Sequence, residues 1–201
     1  MSLPATDSFT RADGASLGSN WTQLLNTFGI ASNKGNAQDS GNSSVVAYWN
    51  ADAFGNNHYS QAVFAGFGFL GMVGPAVRVT GTTNVLASVN GYFYYGRNSP
   101  DSGGISKIVA GAETQLVTGL SGFVDGDTLK LEAVGTTLNA YKNGALHATT
   151  TDSDLASGAA GLWAYEDAPT AVTFDDWEGG NASGGGGGGA TTPRMALLGA
   201  G

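Results

Sequence analysis

The chain has no cysteine, only two histidines and only 24 formally charged Asp, Glu, Lys and Arg side chains in 201 residues, 12% of the total. Without cysteine the fold uses neither a disulfide nor a thiolate metal site, and the count leaves the redox compartment open. His58 and His147 are too few for a histidine metal triad. The charged share is about half that of an average domain, and the formal net charge is -8 with just eight Lys and Arg. Such a chain neutralises few phosphates, so nucleic acid is not an expected partner. No apolar run is long enough to cross a bilayer, so no membrane partner is expected. The start, MSLPATDSFTRADG, lacks a basic segment followed by an apolar one, so no secretory signal is expected and synthesis is expected in the cytoplasm of the producing cell.

What replaces charge is glycine, 33 residues of it, together with Ser, Thr and Asn. This composition suits short strands and tight turns and disfavours long surface helices. The clearest stretch is Asp127 to Asp152, DTLKLEAVGTTLNAYKNGALHATTTD. Leu129, Leu131 and Ala133 alternate with Lys130 and Glu132, the pattern of a strand with one face on a core and one in water. Gly135-Thr136-Thr137 reverses the chain. Leu138, Ala140 and Tyr141 open a second strand, and Asn143-Gly144 predicts a type I′ hairpin, whose central residues need positive φ. A third strand, Leu146 to Thr151, completes an antiparallel meander.

The rest reads the same way. Phe9, Leu17 and Trp21 are apolar anchors near the start. Strands are expected at Phe28 to Ala37, Ser43 to Asn50, Tyr59 to Phe67, Pro75 to Thr80, Val85 to Arg97, Ile105 to Ala110, Thr114 to Thr118, Ala159 to Tyr165 and Ala171 to Trp177. Roughly a dozen short strands with frequent turns predict an all-β sandwich or barrel.

Three stretches then carry a resemblance: DSFTRADGASLGSNWT near the start, GDTLKLEAVGTTLNAYKNGALHATTTDSDLASGAAGLWAY towards the end, and VTFDDWEGG. Over about residues 7 to 180 the chain resembles the concanavalin A-like lectin/glucanase jelly rolls, in particular the laminin-G-like modules of bacterial and bacteriophage proteins. The resemblance implies a two-sheet antiparallel jelly-roll sandwich in which the first and last segments pair, setting Phe9 beside Phe174. It sets residues 7–180 as the jelly roll and leaves 1–6 as an N-terminal arm, while the composition beyond it marks 181–190 as a Gly-rich linker and 191–201 as a C-terminal apolar docking segment.

Candidate chemistry is sparse. The glycosidase branch of that superfamily carries a Glu-x-Asp-x-x-Glu run, whose acid and nucleophile must flank one sugar bond. The four glutamates, Glu113, Glu132, Glu166 and Glu178, lack that spacing, and no enzyme is expected. Gly66 to Gly71 matches a dinucleotide fingerprint as a string, but a strand rather than a helix is expected to follow. No nucleophile elbow is present. No cofactor is expected; the weak exception is calcium on the acidic turns Asp125/Asp127 and Asp152/Asp154, set against their reading as solvated turns. For glycan contact the candidates are Tyr92 and Tyr94, on one side of their strand with Phe93 and Tyr95 on the other, and the pair Trp163 and Tyr165, with core packing the alternative for each.

From Gly179 the composition shifts to GGNASGGGGGG, a flexible linker, and then to a small apolar group, Met195, Leu197 and Leu198, behind Pro193 and Arg194. A tail left in solvent has no need of that group, although composition alone equally gives an unstructured tail. The expectation is an assembly arm docking on other protein subunits, with the chain a homo-oligomeric structural protein of a bacteriophage capsid or tail surface. The alternative is a carbohydrate-binding module that attaches to surface glycans.

Overall fold

A computed structural model describes residues 3–38, 43–66, 71–97, 103–166 and 172–183. Among the described residues there are fifteen strands and no helix: β1 Ala5–Asp7, β2 Trp21–Leu25, β3 Phe28–Ala31, β4 Lys34–Ala37, β5 Ser43–Trp49, β6 His58–Gly66, β7 Met72–Thr82, β8 Val85–Tyr95, β9 Gly103–Val109, β10 Ala112–Leu120, β11 Asp127–Val134, β12 Thr137–Lys142, β13 Ala145–Thr151, β14 Ala159–Glu166 and β15 Thr173–Asn181. They form two antiparallel sheets. One runs β13-β12-β11-β6-β15-β4-β3, with β1 added beside β15; the other runs β10-β9-β8-β7-β14-β5-β2.

The meander forms as its alternation predicts. Leu129, Leu131, Ala133, Leu138 and Ala140 are buried between the sheets, and Lys130 and Glu132 face outward. Asn143 and Gly144 both take positive φ, 51° and 79°, as the hairpin turn requires. The termini pair: Ala5, Thr6 and Asp7 lie opposite Gly179, Glu178 and Trp177. Ala5 and Thr6 therefore belong to the sandwich rather than to a free arm. Phe9 meets Phe174 edge-on with ring centroids 5.1 Å apart. Around them Phe28, Trp21, Trp49 and Trp177 complete an aromatic layer between the sheets, each ring worth roughly 1.5–3 kcal/mol for its buried area.

Two expected strands take different forms. Phe28 to Ala37 is a hairpin, β3 and β4, turning at Ser32 and Asn33 with φ of 53° and 59°. Pro75 does not open its strand. It is the fourth residue of β7, inside the sheet between β8 and β14, and the ladder to β8 has no partner pair at its position.

The β7–β8 hairpin has the largest effect on the molecule's surface. Register shifts between Val77 and Thr80 and between Thr80 and Thr82, and a left-handed Arg78, bend it back over the outer face of its own sheet. At its tip the Asn84 N–H donates to the Leu24 carbonyl at 2.7 Å, on β2 at the far edge. Beneath it lies a second apolar cluster, Leu24, Val46, Ala76, Val79, Val89, Phe93, Tyr95, Ile108 and Trp163. The seven-stranded sheet is thus apolar on both faces.

Candidate functional site

The outer face of the eight-stranded sheet is different: half-buried, polar and aromatic. Register sets its side chains in rows across neighbouring strands. Tyr141, Lys130, Gln61, Glu178 and Thr6 are successive Cα partners on β12, β11, β6, β15 and β1. Beside that row, Asn139, Glu132, Tyr59 and Gly180 form the next. Successive residues of one strand point to opposite faces, so both rows share the outer surface.

Lys130 organises the centre. Its Nζ lies 4.3 Å from the ring centroid of Tyr59 and 5.4 Å from that of Tyr141. It also pairs with Glu132 Oε2 at 3.2 Å. The ammonium is attracted by both ring faces and holds them as a platform. The Tyr59 hydroxyl donates to Glu178 Oε1 at 2.6 Å. Burial, and then the bond to Glu178, pushes the Tyr59 phenol well above its ordinary value. Burial, and then the charge of Glu132, raises Tyr141. Both phenols stay protonated across the physiological range and serve as donors. Alongside opens a trough of about 570 Å³ bordered by Gln61, Thr128, Glu178, Thr6, Ser8 and Asp176. Asp7 also lines it, but its oxygens already accept from both Arg11 Nη atoms and Trp21 Nε1 at 2.8 Å and from the Phe9 N–H at 2.9 Å.

The residues singled out in the sequence lie elsewhere. Tyr92 and Tyr94 are wholly buried between the sheets and present no ring to a ligand. The Tyr92 hydroxyl donates to Asp152 Oδ1 at 2.6 Å and accepts from the Leu155 N–H, while the Tyr94 hydroxyl bonds His147 Nδ1 at 2.6 Å. Trp163 is 2% exposed, stacked on Phe93 at 4.4 Å beneath the folded-back hairpin. Tyr165 alone of the four is half-exposed, in a cleft on the seven-stranded sheet. The two acidic turns are already engaged. Lys107 Nζ bridges Asp152 Oδ2 at 2.6 Å and Asp154 Oδ2 at 2.5 Å. Asp127 accepts from the Val124 N–H and from Asn143 Nδ2, while Asp125 is exposed. Among the described residues no three His, Asp or Glu side chains are placed to hold a metal. The Gly66 to Gly71 string joins β6 to β7, with 67–70 outside the described residues. Pro193, Arg194, Met195, Leu197 and Leu198, on which the assembly arm rests, also lie outside them.

Sequence reasoning missed Tyr59, Tyr141 and Gln61. The outward phase of Lys130, Glu132 and Tyr141 is visible in their alternation, but which strands lie beside them is not.

The two sheets, their antiparallel order and the paired termini define a lectin-like jelly-roll sandwich. Solved structures with this arrangement include the carbohydrate-binding module CBM66 from Bacillus subtilis, at 17% identity and TM-score 0.61, covering 80% of this chain and 96% of that one. A protein of unknown function with a galectin-like fold from Bacillus subtilis matches at 12% identity and TM-score 0.58, over 85% of this chain and 97% of its own. A legume lectin-like domain from Entamoeba histolytica matches at 13% identity and TM-score 0.51, over 82% of this chain and 91% of its own. At these identities the likeness is one of fold, and it supports the concanavalin A-like architecture; none of the three is named as a laminin-G-like or bacteriophage protein. No protein-family model matches the sequence. No curated protein matches it either.

Proposed function

We propose that the protein is a carbohydrate-binding module whose ligand lies on the outer face of the eight-stranded sheet. The observation that carries this is the Tyr59–Lys130–Tyr141 platform. A half-exposed aromatic ring packs against the apolar C–H face of a pyranose. With Tyr59 held between Lys130 and the β15 backbone, Tyr141 is the ring that stacks, and the side chains around the pair exchange hydrogen bonds with hydroxyls. Gln61, Asn139, Glu132 and Glu178 supply donors and acceptors on the same surface, and the trough gives room for a chain of more than one sugar. Each carboxylate is tied to a neighbour, Glu132 to Lys130 and Glu178 to Tyr59, which suits holding a sugar more than cleaving one. Similar folds among proteins described as carbohydrate-binding or lectin-like support this reading over a purely structural role in a particle.

The test is a glycan array probed with the full chain and with Tyr59→Ala and Tyr141→Ala. Binding to a defined glycan that both substitutions weaken supports the site. Binding that neither changes places it elsewhere, and release of reducing sugar from a bound polysaccharide makes the protein an enzyme.

A further inference from the structure

The seven-stranded sheet carries a recess of another kind. A cleft of about 430 Å³ opens beside the tip of the folded-back hairpin, walled by Leu25, Leu86, Ile108 and Tyr165, with Glu113 the single charge on its lining. Leu86 is 54% exposed there, so an apolar wall is open to water. The chain continues past the last described residue, Ser183, through six glycines to Arg194, Met195, Ala196, Leu197 and Leu198, and Arg194 is the only charged residue after Glu178.

We propose that this cleft is the seat of the protein's own C-terminal segment, with Met195, Leu197 and Leu198 against Leu25, Leu86 and Ile108, and Arg194 facing Glu113. This inference stands independently of the glycan reading, since it uses the opposite sheet.

Charge and apolarity correspond: a single cation and three apolar side chains meet a single anion and the apolar wall of Leu25, Leu86 and Ile108, with Asn26, Ser43 and Ser44 as the polar part of the lining. Reach also fits. The chain leaves β15 at Asn181, paired with His58, at the end of the sandwich where Ala159 begins β14. The cleft lies at the other end of β14, at Tyr165. Six residues along a strand and one sheet spacing put the two points roughly 22 Å apart. Ala182 is still held, its N–H donating to the Asn57 carbonyl at 3.0 Å. The connector is therefore 184–193, with a relaxed end-to-end distance of about 17 Å and a taut one of about 34 Å. The taut length exceeds that straight-line separation, and a segment tethered within reach meets the cleft as an intramolecular partner rather than from dilute solution.

Amide exchange and methyl contacts of the full chain test this. The expected results are a monomer, contacts between the Leu197 and Leu198 methyls and those of Leu86 and Ile108, and exchange at 195–198 slowed roughly tenfold relative to the glycines at 184–189. Leu86→Glu abolishes the protection by changing the cleft, and the double change Leu197→Glu, Leu198→Glu abolishes it by changing the tail. Both are at exposed or terminal positions, so the sandwich stays folded. Glu113→Arg weakens docking and Arg194→Glu in the same chain restores it. Unprotected exchange at 195–198, protection indifferent to Leu86→Glu, or protection that disappears on dilution with a dimer would each overturn the proposal, the last by assigning the arm to a second copy.

Discussion

The phenol ring of Tyr59 rests on the backbone of Gly180, directly across the ladder between β6 and β15. A Cβ built at Gly180 would lie 2.8 Å from the Tyr59 hydroxyl oxygen and 2.9 Å from Cε1 and Cζ of its ring. Only a residue without a side chain leaves room for the ring to lie down, reach Glu178 and receive Lys130 on its face. Gly180→Ala therefore lifts the ring without opening the core. Glycan binding is expected to fall about tenfold, the loss of one cation–π contact and one hydrogen bond, while the melting temperature moves by only a few degrees. A glycan titration beside a thermal melt checks this; unchanged affinity would remove Tyr59 from the site.

Lys107 occupies the position at which Asp152 and Asp154 would otherwise share a cation. Millimolar calcium is expected to leave the melting temperature of the native chain unchanged. In Lys107→Ala the two carboxylates face each other unneutralised, so that variant is expected to be less stable and to regain stability as calcium is added. Scanning calorimetry with calcium and with a chelator separates the cases, and a native chain stabilised by calcium would show that the ammonium is displaceable.

The difference between what the sequence discloses and what it hides follows the range of the interactions. The meander is legible because its determinants are local: Leu129, Leu131 and Ala133 alternate with Lys130 and Glu132, and Asn143-Gly144 sets the turn. The turn at Ser32-Asn33 was not, because it uses two L-residues at positive φ where glycine would have signalled it. Alternation placed Tyr92 with Tyr94 and Phe93 with Tyr95 on opposite sides, and the structure agrees. It could not tell that both sides are covered, since the cover over Phe93 and Trp163 is the distant tip of the same hairpin, held at Leu24. The site failed for the same reason. Tyr59 and Lys130 are far apart in the chain and meet only through the pairing of β6 with β11.

His58 is buried and neutral, its Nε2 accepting the Arg78 N–H at 3.0 Å and its Nδ1 donating to the Gly55 carbonyl at 2.7 Å. Burial, with the nearby Arg78 charge, holds its pKa below the ordinary 6.5. Between the two values the unfolded chain binds the proton and the folded chain does not. The contribution is therefore complete above about pH 6.5 and declines as the pH falls below it, by on the order of 1 kcal/mol per unit of difference. The urea midpoint is expected to drop between about pH 8 and pH 5, and more gently in His58→Gln. His147, also lowered by burial and by Lys142 but half-exposed, contributes less. Equal slopes in the two proteins would assign the effect to other groups.

Arg78 closes the same end of the sandwich in an unusual way for a buried cation. Its guanidinium is held by backbone carbonyls alone among the described hydrogen bonds: Asn56 O at 3.3 and 3.1 Å, Leu155 O at 2.7 Å and Gly135 O at 2.6 Å. These carbonyls belong to three separate segments, ahead of β6, between β11 and β12, and between β13 and β14. Burial lowers the Arg78 pKa, which still leaves guanidinium charged. Lysine retains the charge but not the planar fork, so at most part of the set can be satisfied at once. Arg78→Lys is expected to cost about 2–4 kcal/mol, with faster amide exchange at Gly135 and around Leu155, because carbonyls and charge are left buried without partners. Urea unfolding with site-resolved exchange measures both. A cost below about 0.5 kcal/mol, the range of an ordinary surface change, would mean that the three segments hold their places without the guanidinium.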